Sequence, residues 1–526
     1  MSKPVTQRLR TPIILFTIAL VIRAAVIVLW RFDGLYGQDP FAFFGQALAL
    51  TERLPQGQPP PTDFVWPNGF PLTVALAMFV LGKTALAGQI VPLLSGALLP
   101  PLAYLLSRDL FPAGGHRAGL LAGLIIAVAG QPILSSVVVM SDMPSLLWAT
   151  LAAWLVVRLS RRPDQARWYL LAGAVFGLAV FSRWLYALMA PALSLYVVAV
   201  LRRDRGRWWL PGLSVLSGAA ILGPQLWLSL QKPEGLFGHH WLTGWRPLNF
   251  FERQFDTLDG HYLYRFPVGV FYAQPAGHPA YIFPILGLAS FWGLWRLWQT
   301  KNWGALILLV GWLAPAYLFL AGIPYENFRY GLLHYMPLVL LTGYGLSDIW
   351  ERWPALSARL AETSRGPVSA IARALRSQVW LQAIFALSLL GMLAWAYPMV
   401  RNFVTLVNDS KALARQVEQH LPEDATLLTF GLTLTLQHYT QVNTLEIYYL
   451  DDTSLDELTR SQPSLYLLLD PQNIETQWQG KIPSLNYHWL QEHTSLTEID
   501  TFPPFVLFEV KPVSDRIGLY DGFSLG

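Results

Sequence analysis

The chain has 526 residues, of which 53% are hydrophobic and 13% are charged. Soluble domains carry roughly 25% charged residues, so a soluble chain this apolar could not cover its surface. The small net charge of +4 is dispersed and argues against nucleic acid as a partner. The absence of cysteine excludes thiol catalysis, thiolate zinc sites and disulfides. We therefore predict a polytopic membrane protein.

Long apolar runs recur over the first 398 residues, and each approaches the roughly 20 residues that span a bilayer. They predict about eleven transmembrane helices, at 11–30, 87–107, 119–138, 144–158, 168–182, 184–201, 209–229, 280–297, 304–322, 331–350 and 378–398. Residues 70–82 are also apolar, but this shorter run suits an interfacial or re-entrant helix. No cleavage site follows the first run, so we expect it to be retained as a helix.

Basic residues mark the orientation of these helices. Arginines cluster in alternate connections, for example at 158–167 and 202–207, whereas 139–143 and 323–330 carry little or no net positive charge. Because basic loops stay in the cytoplasm, the pattern predicts a multi-pass protein of the plasma (inner) membrane with a cytoplasmic N-terminus.

Three larger segments fall on the extracytoplasmic side: 31–66, the aromatic-rich 230–279, and the tail 399–526. The tail alternates a polar, helix-like run at 408–420 with strand-like stretches at 425–436, 464–469 and 505–510. We predict a transmembrane domain over 1–398, followed by a small soluble α/β domain over 399–526. The fold class is thus an all-α polytopic membrane protein with an extracytoplasmic domain.

Charged side chains beside lipid are costly and therefore candidate functional groups. Asp39 follows the first predicted helix and could be a general base, although Asp-Pro also favours a turn. Asp142 could serve catalysis, cap the helix that follows, or do both. Arg329 could bind a lipid phosphate, or it could be an anchor at a helix end.

Other polar residues on the same side are weaker candidates. Arg183 is a second possible phosphate ligand or an ordinary loop residue, and Glu326 could pair with Arg329. The aromatic segment adds substrate-cavity candidates that could equally belong to an amphipathic interfacial loop: His239, His240, Tyr264 and Arg265. Adjacent imidazoles such as His239 and His240 rarely point at one metal ion.

The order of these motifs over about residues 10–350 resembles the GT-C membrane glycosyltransferases, specifically the protein O-mannosyltransferase and aminoarabinose-transferase-like group (family 39/83-like). The first-loop aspartate is followed by W-P-x-G-x-P-L, by an acidic S-D-M-P connection, by G-L-A-x-x-x-R and by R-Y-x-x-x-x-x-x-P. The residues that carry the resemblance are Asp39, Trp66, Pro67, Gly69, Pro71, Leu72, Asp142, Gly177, Leu178, Ala179, Arg183, Arg329, Tyr330 and Pro337.

The resemblance implies a GT-C fold and transfer of a sugar from a polyprenyl-phosphate donor to an acceptor hydroxyl, with inversion, on the extracytoplasmic side. It implies that Asp39 deprotonates the acceptor, that Asp142 belongs to the catalytic site, and that Arg329, Arg183 and Tyr330 bind the donor phosphate. Pro40 follows Asp39 where the protein mannosyltransferases have Glu, so the acceptor could be a lipid, a glycan or a protein. The sequence identifies no cofactor and no metal ligands. It leaves a divalent metal ion open.

Two other functions also fit these residues. The chain could transfer or polymerise whole lipid-linked oligosaccharides, or it could be a membrane transporter, whose charges usually lie deeper within the helices. A non-catalytic relative, in which the tail binds a partner, is a third reading.

Overall fold

A computed structural model describes residues 5–61, 64–161, 163–202, 205–231, 240–363 and 377–512. The chain divides into two compact units. Unit 1 comprises 1–35, 42–251 and 266–402, and unit 2 comprises 36–41, 252–265 and 403–526.

Sixteen helices of the described chain lie wholly or mostly in unit 1. They are α1 (Val5–Trp30), α2 (Asp39–Arg53), α3 (Gly69–Leu81), α4 (Ala85–Leu110), α5 (Gly115–Val128), α6 (Gly130–Ser135), α7 (Asp142–Leu159), α8 (Ala166–Ser182), α9 (Ala190–Leu201), α10 (Leu210–Leu230), α11 (His240–Thr243), α12 (Val268–Ala273), α13 (Pro284–Gln299), α14 (Trp303–Gly322), α15 (Tyr335–Thr363) and α16 (Val379–His420).

Seven helices of the described chain are long and apolar enough to cross a membrane. The helical membrane class is therefore confirmed, while the number is below the eleven expected. The run 119–138 is broken, because Ala129 has an extended backbone between α5 and α6. Helices α8 and α13 have only 17 and 16 residues, and α15 becomes charged in its second half. The run at 70–82 forms the short helix α3, as predicted.

The helices of unit 1 differ in how much of their surface other helices cover. About 72% of the apolar window of α4 and 78% of that of α7 is buried, against 11% for α10. Helices α4 and α7 therefore form the centre, and α10 packs on α8 with most of its surface facing outward. A Cβ atom added to Gly173 of α8 would lie 2.0 Å from the carbonyl oxygen of Ser214. Small residues thus allow these two backbones to meet, as in other membrane helix pairs.

Arg23 is a fully buried arginine within the first membrane helix. Its guanidinium donates to Ser136 Oγ at 2.9 Å, to the carbonyl of Ala127 at 3.2 Å and to that of Ile126 at 3.2 Å. The latter two carbonyls belong to the C-terminal end of α5, where the helix dipole favours a cation. Arg23 therefore joins α1 to the break between α5 and α6.

Unit 2 contains two sheets. The helices that follow α16 are α17 (Thr433–Tyr439), α18 (Asp452–Ser461), α19 (Pro471–Thr476) and α20 (Ile482–His493). The strands are β1 (Gln254–Thr257), β2 (Gly260–Leu263), β3 (Thr426–Thr429), β4 (Asn443–Glu446), β5 (Leu465–Leu469), β6 (Thr494–Phe502) and β7 (Phe505–Pro512). Strands β1 and β2 form a hairpin, and the larger sheet has the order β4-β3-β5-β7-β6.

The larger sheet combines parallel and antiparallel strands. Strands β3, β4 and β5 are parallel, and β7 runs antiparallel to β5 and β6. Alternate residues of β5 enter different cores: Leu467 packs with Leu455 of α18, and Leu468 packs with Leu436 of α17. Since successive side chains point to opposite faces, α17 and α18 cover opposite faces of the sheet.

The structure contains an α/β unit in the predicted tail, although one of its strands is shorter than the sequence predicted. The stretch 425–436 is strand only over β3 and then turns into α17, which begins at Thr433. The reversal occurs at Gly431, whose φ of +85° lies in the left-handed region favoured by glycine. The strands expected at 464–469 and 505–510 are β5 and β7, and the helix-like run 408–420 is the end of α16.

Candidate functional site

Four of the residues singled out from the sequence line one small cavity in unit 1. Its lining residues are Asp142, Arg183, Leu185, Tyr186, Arg329, Tyr330, Leu332 and Leu333. The space between these side chains is roughly that of one water molecule, so a larger group would bind only if the lining side chains moved apart.

Asp142 and Arg183 form an ion pair in this cavity. Arg183 Nη1 lies 2.6 Å from Asp142 Oδ1, and the aspartate is 4% exposed. Asp142 begins α7, and Arg183 directly follows the end of α8, so these neighbouring helices bring the pair together. Asp142 Oδ2 is buried and has no hydrogen-bond partner among the described residues. The ion pair fixes the direction of the Arg183 guanidinium.

Tyr330 lies within cation–π distance of two arginines. Arg183 Cζ is 4.9 Å from the centre of the Tyr330 ring, and Arg329 Cζ is 5.3 Å from it. The tyrosine is buried, so its ring holds both guanidinium groups at short range. The charged residues of the lining are two arginines and one aspartate, a composition that favours an anion.

The segment that carries Arg329 is a 3₁₀ helix over Phe328–His334 rather than the start of the transmembrane helix predicted at 331–350. Asn327 caps it by accepting a hydrogen bond from the Arg329 amide at 3.2 Å. The Tyr281 hydroxyl donates to the carbonyl of Phe328, and Trp312 Nε1 donates to that of Leu333 at 2.8 Å. These contacts hold the backbone on which Arg329 sits.

The opposite side of the cavity contacts the loop that follows α1. Arg329 Nη1 contacts the sulfur of Met140. One residue earlier, the Val139 amide donates to the carbonyl of Gly34 at 3.0 Å. Gln89 Nε2 donates to the carbonyls of Phe32 and Val137, at 2.9 and 2.8 Å. The loop after α1 is therefore anchored to the segment that precedes Asp142.

Asp39 begins α2 and is half-buried. It belongs to unit 2, as do Tyr264 and Arg265, whereas the cavity belongs to unit 1. Their participation in a site with Arg329 stays a prediction. Tyr264 stacks on Tyr262 with ring centres 5.5 Å apart, and Arg265 is exposed.

The two adjacent histidines give no site geometry. His239 lies outside the described residues, and of His240 the structure describes only the backbone, at the start of α11. No group of three or more His, Asp or Glu residues that could hold a metal ion occurs among the residues the structure describes. A role for a divalent metal stays untested.

Glu326 lies in the short connection between α14 and the 3₁₀ helix. Burial raises the pKa of Glu326 to about 7, and its Oε1 atom has no hydrogen-bond partner in the described part of the chain. The internal pair with Arg329 that the sequence suggested is not among the ion pairs of the described residues. Arg329 instead contacts Met140 and the ring of Tyr330.

The Trp66–Pro71 motif connects several helices through buried amides. Asn68 Oδ1 accepts a hydrogen bond from Gln46 Nε2 of α2 at 2.6 Å. Asn68 Nδ2 donates to Gln225 Oε1 of α10 at 3.0 Å. Gly69 lets the start of α3 reach α8, because its added Cβ would lie 2.5 Å from the carbonyl oxygen of Phe181. Residue 181 is two positions before Arg183, so the motif supports the cavity wall.

We expect Gly69→Ala to destabilise the protein by about 1–3 kcal/mol, because a methyl group forced against backbone atoms must displace one helix. Gly45→Ala on α2 is the matched control, since nothing lies within 4 Å of its added Cβ. Thermal unfolding in detergent measures both variants. Equal melting temperatures would contradict the close contact.

Some residues that contact the cavity lining could not be predicted from the sequence. Met140 and Tyr281 have no motif that marks them, and their roles follow from contacts between distant segments. Arg23 and Gln225 did carry a signal, because a polar residue within an apolar helix usually has a buried partner.

A family model supports the resemblance over part of the chain. Residues 66–227 match the model described as dolichyl-phosphate-mannose-protein mannosyltransferase. This match includes Asp142, Arg183 and the Trp66–Pro71 motif. No curated protein matches the sequence.

Solved structures share the fold over most of the chain. ArnT from Cupriavidus metallidurans bound to undecaprenyl phosphate has a TM-score of 0.58 at 15% identity, covering 94% of this chain and 97% of that chain. The oligosaccharyltransferase from Archaeoglobus fulgidus has a TM-score of 0.60 at 12% identity, covering 97% of this chain and 75% of that chain.

Over most of its length the chain shares the GT-C fold of these membrane glycosyltransferases, and its residues 66–227 match the mannosyltransferase model. The fold class predicted from the sequence is thereby confirmed. Within that class, the mannosyltransferase model covers less than half of the chain.

Proposed function

We propose that the chain transfers a sugar from a polyprenyl-phosphate donor to an acceptor hydroxyl, with inversion, on the extracytoplasmic face of the plasma membrane. The observation that carries the proposal is the pair of arginines around Tyr330 in the lining of one small cavity. ArnT of similar fold was solved with undecaprenyl phosphate, which supports a lipid phosphate as the ligand here.

The leaving phosphate explains the charge of the cavity. When the bond between the anomeric carbon and the phosphate oxygen breaks, the electron pair stays on that oxygen and negative charge grows. Arg183 and Arg329 would stabilise this charge with donors already in place, which is where preorganised electrostatics lower a barrier most. Asp142 would act on Arg183 as a positioning residue, because its Oδ1 atom already accepts from that guanidinium.

The reaction also needs a base that takes the proton from the acceptor hydroxyl. In a single displacement the acceptor oxygen attacks the anomeric carbon from the face opposite the phosphate, and its proton passes to a carboxylate. Because the cavity carboxylate is occupied by Arg183, we assign this step to Asp39, whose position on an extracytoplasmic loop was predicted from the sequence. The orientation of the membrane and the identity of the acceptor belong to this proposal.

Binding of undecaprenyl phosphate to the purified protein tests the site. We expect Asp142→Asn to weaken binding about tenfold, because a neutral amide no longer holds Arg183 as a charged partner. Asp348→Asn is the matched control, since Asp348 forms similar ion pairs with Arg296 and Arg352 but does not line the cavity.

Two results would reject the assignment. One is equal affinity of the wild type and Asp142→Asn for undecaprenyl phosphate, and the other is an equal loss in Asp348→Asn. Lipids that co-purify with the protein identify the donor. A polyprenyl monophosphate carrying one sugar is expected, whereas a lipid-linked oligosaccharide would favour the ligase or polymerase alternative.

A further inference from the structure

The parallel strands of unit 2 end together at one edge of the larger sheet. Strand β3 lies between β4 and β5, and the connecting helices α17 and α18 cover opposite faces of the sheet. The connection from β3 to β4 therefore runs over one face of the sheet through α17. The connection from β4 to β5 runs over the opposite face through α18. In open α/β sheets, ligands bind outside the carboxyl ends of the strands at such a switch point.

Aromatic residues gather at this edge. Phe430 follows β3, Tyr448 and Tyr449 follow β4, and Trp478 follows the short helix after β5. The rings of Phe430 and Tyr448 approach Trp478 edge-on, with centres 4.8 and 6.0 Å from the indole. Tyr449 extends the group and is 82% exposed. We call these four residues the aromatic cleft.

The backbone turn at Gly431 leaves open space beside the aromatic cleft. Gly431 follows Phe430, and a Cβ atom added there would meet nothing within 4 Å. A bound group could also reach a carboxylate nearby. Glu446 ends β4, is half-buried and accepts a hydrogen bond from Thr433 at 2.6 Å.

The β1–β2 hairpin lies beside the cleft and adds acidic charge. The His261 amide donates to the carbonyl of Gln477 at 2.7 Å, which places the hairpin next to Trp478. The pKa of Tyr448 is raised by burial first and then by the negative charge of Asp259 in the hairpin turn. Lys481 contacts Asp256, so the positive charge of this lysine is already balanced by a carboxylate.

These charges distinguish between ligand classes. Asp259 lies near Tyr448, Glu446 ends β4 and Asp470 follows β5, while Asp256 is paired with Lys481. Carboxylates in these positions disfavour a phosphate or a nucleotide. Aromatic faces pack against the C–H face of a sugar ring, and carboxylates accept hydrogen bonds from its hydroxyl groups. A neutral saccharide satisfies both features.

We propose that the aromatic cleft of unit 2 is a binding site for a neutral saccharide, formed by Phe430, Tyr448, Tyr449 and Trp478. The site is separate from the phosphate cavity of unit 1, and its assignment does not depend on the proposed transfer reaction.

Saturation-transfer NMR on the full-length protein in detergent tests the site. The probes are neutral tetrasaccharides of glucose, mannose, galactose and arabinose, with tetragalacturonate as the anionic comparison. We expect at least one neutral probe to bind the wild type. Trp478→Ala should weaken its binding about tenfold, since the largest stacking surface is lost. Tyr449→Ala should weaken it severalfold without unfolding the domain, because that side chain is mostly exposed.

Trp489→Ala is the matched control, because Trp489 stacks on His493 of α20 and not in the cleft. It should leave saccharide binding unchanged. The proposal is overturned if no neutral tetrasaccharide binds, if tetragalacturonate binds more tightly, or if Tyr449→Ala and Trp478→Ala both bind as well as the wild type. Undecaprenyl phosphate affinity, measured in the same variants, should not change, so failure here is distinguishable from failure of the proposed function.

Discussion

Arg329→Ala should reduce sugar transfer by about 100- to 1,000-fold, the usual cost of removing a donor that stabilises developing negative charge. The variant should also bind undecaprenyl phosphate more weakly, because Arg329 supplies one of the two guanidinium groups beside Tyr330. Transfer from a radiolabelled polyprenyl-phosphate sugar and binding of undecaprenyl phosphate measure the two effects.

Two further arginine variants make this test specific. Arg329→Lys keeps the charge but loses the planar group that packs against Tyr330, so we expect only partial recovery. Arg117→Ala is the control, because Arg117 is partly exposed and lies 3.6 Å from Glu351, away from the cavity lining. Full transfer activity in a folded Arg329→Ala protein would refute the role of this residue.

Asp39→Asn should reduce transfer by about 100- to 10,000-fold, the range expected when a general base is lost. In contrast to Arg329→Ala, it should leave the affinity for undecaprenyl phosphate unchanged, because the proposed base acts on the acceptor hydroxyl. The same two assays therefore distinguish the proposed base, Asp39, from the proposed phosphate ligand, Arg329.

Asp33→Asn is the matched control for Asp39. Asp33 lies six residues earlier, in the loop between α1 and α2, and accepts a hydrogen bond from the Leu35 amide at 3.2 Å, which is a structural role. We expect this variant to retain most of its activity. If Asp33→Asn abolishes transfer while Asp39→Asn does not, the base has been assigned to the wrong carboxylate.

The role that we propose for Asp142 draws more on the structure than on the sequence. Its sequence context allowed a catalytic group or a helix cap. The structure pairs it with Arg183, which is 41 residues away and directly follows the next helix. A carboxylate already bound to a guanidinium at 2.6 Å is better suited to orienting that group than to accepting a proton.

The sequence by itself determined the membrane class, the short helix after Trp66, the α/β tail and the set of charged residues at helix ends. These features depend on local properties, since hydropathy and charge act on each segment as it contacts lipid or water. The motif order also indicated the glycosyltransferase class, because the motifs are short and each lies within one segment.

Only the tertiary structure decided which of those residues meet. It placed Tyr330 beside both Arg183 and Arg329, broke the third predicted helix at Ala129, and assembled unit 2 from three separate stretches of chain. Such contacts depend on how helices cross and where strands pair, which residues far apart in the chain decide together. No local pattern contains that information.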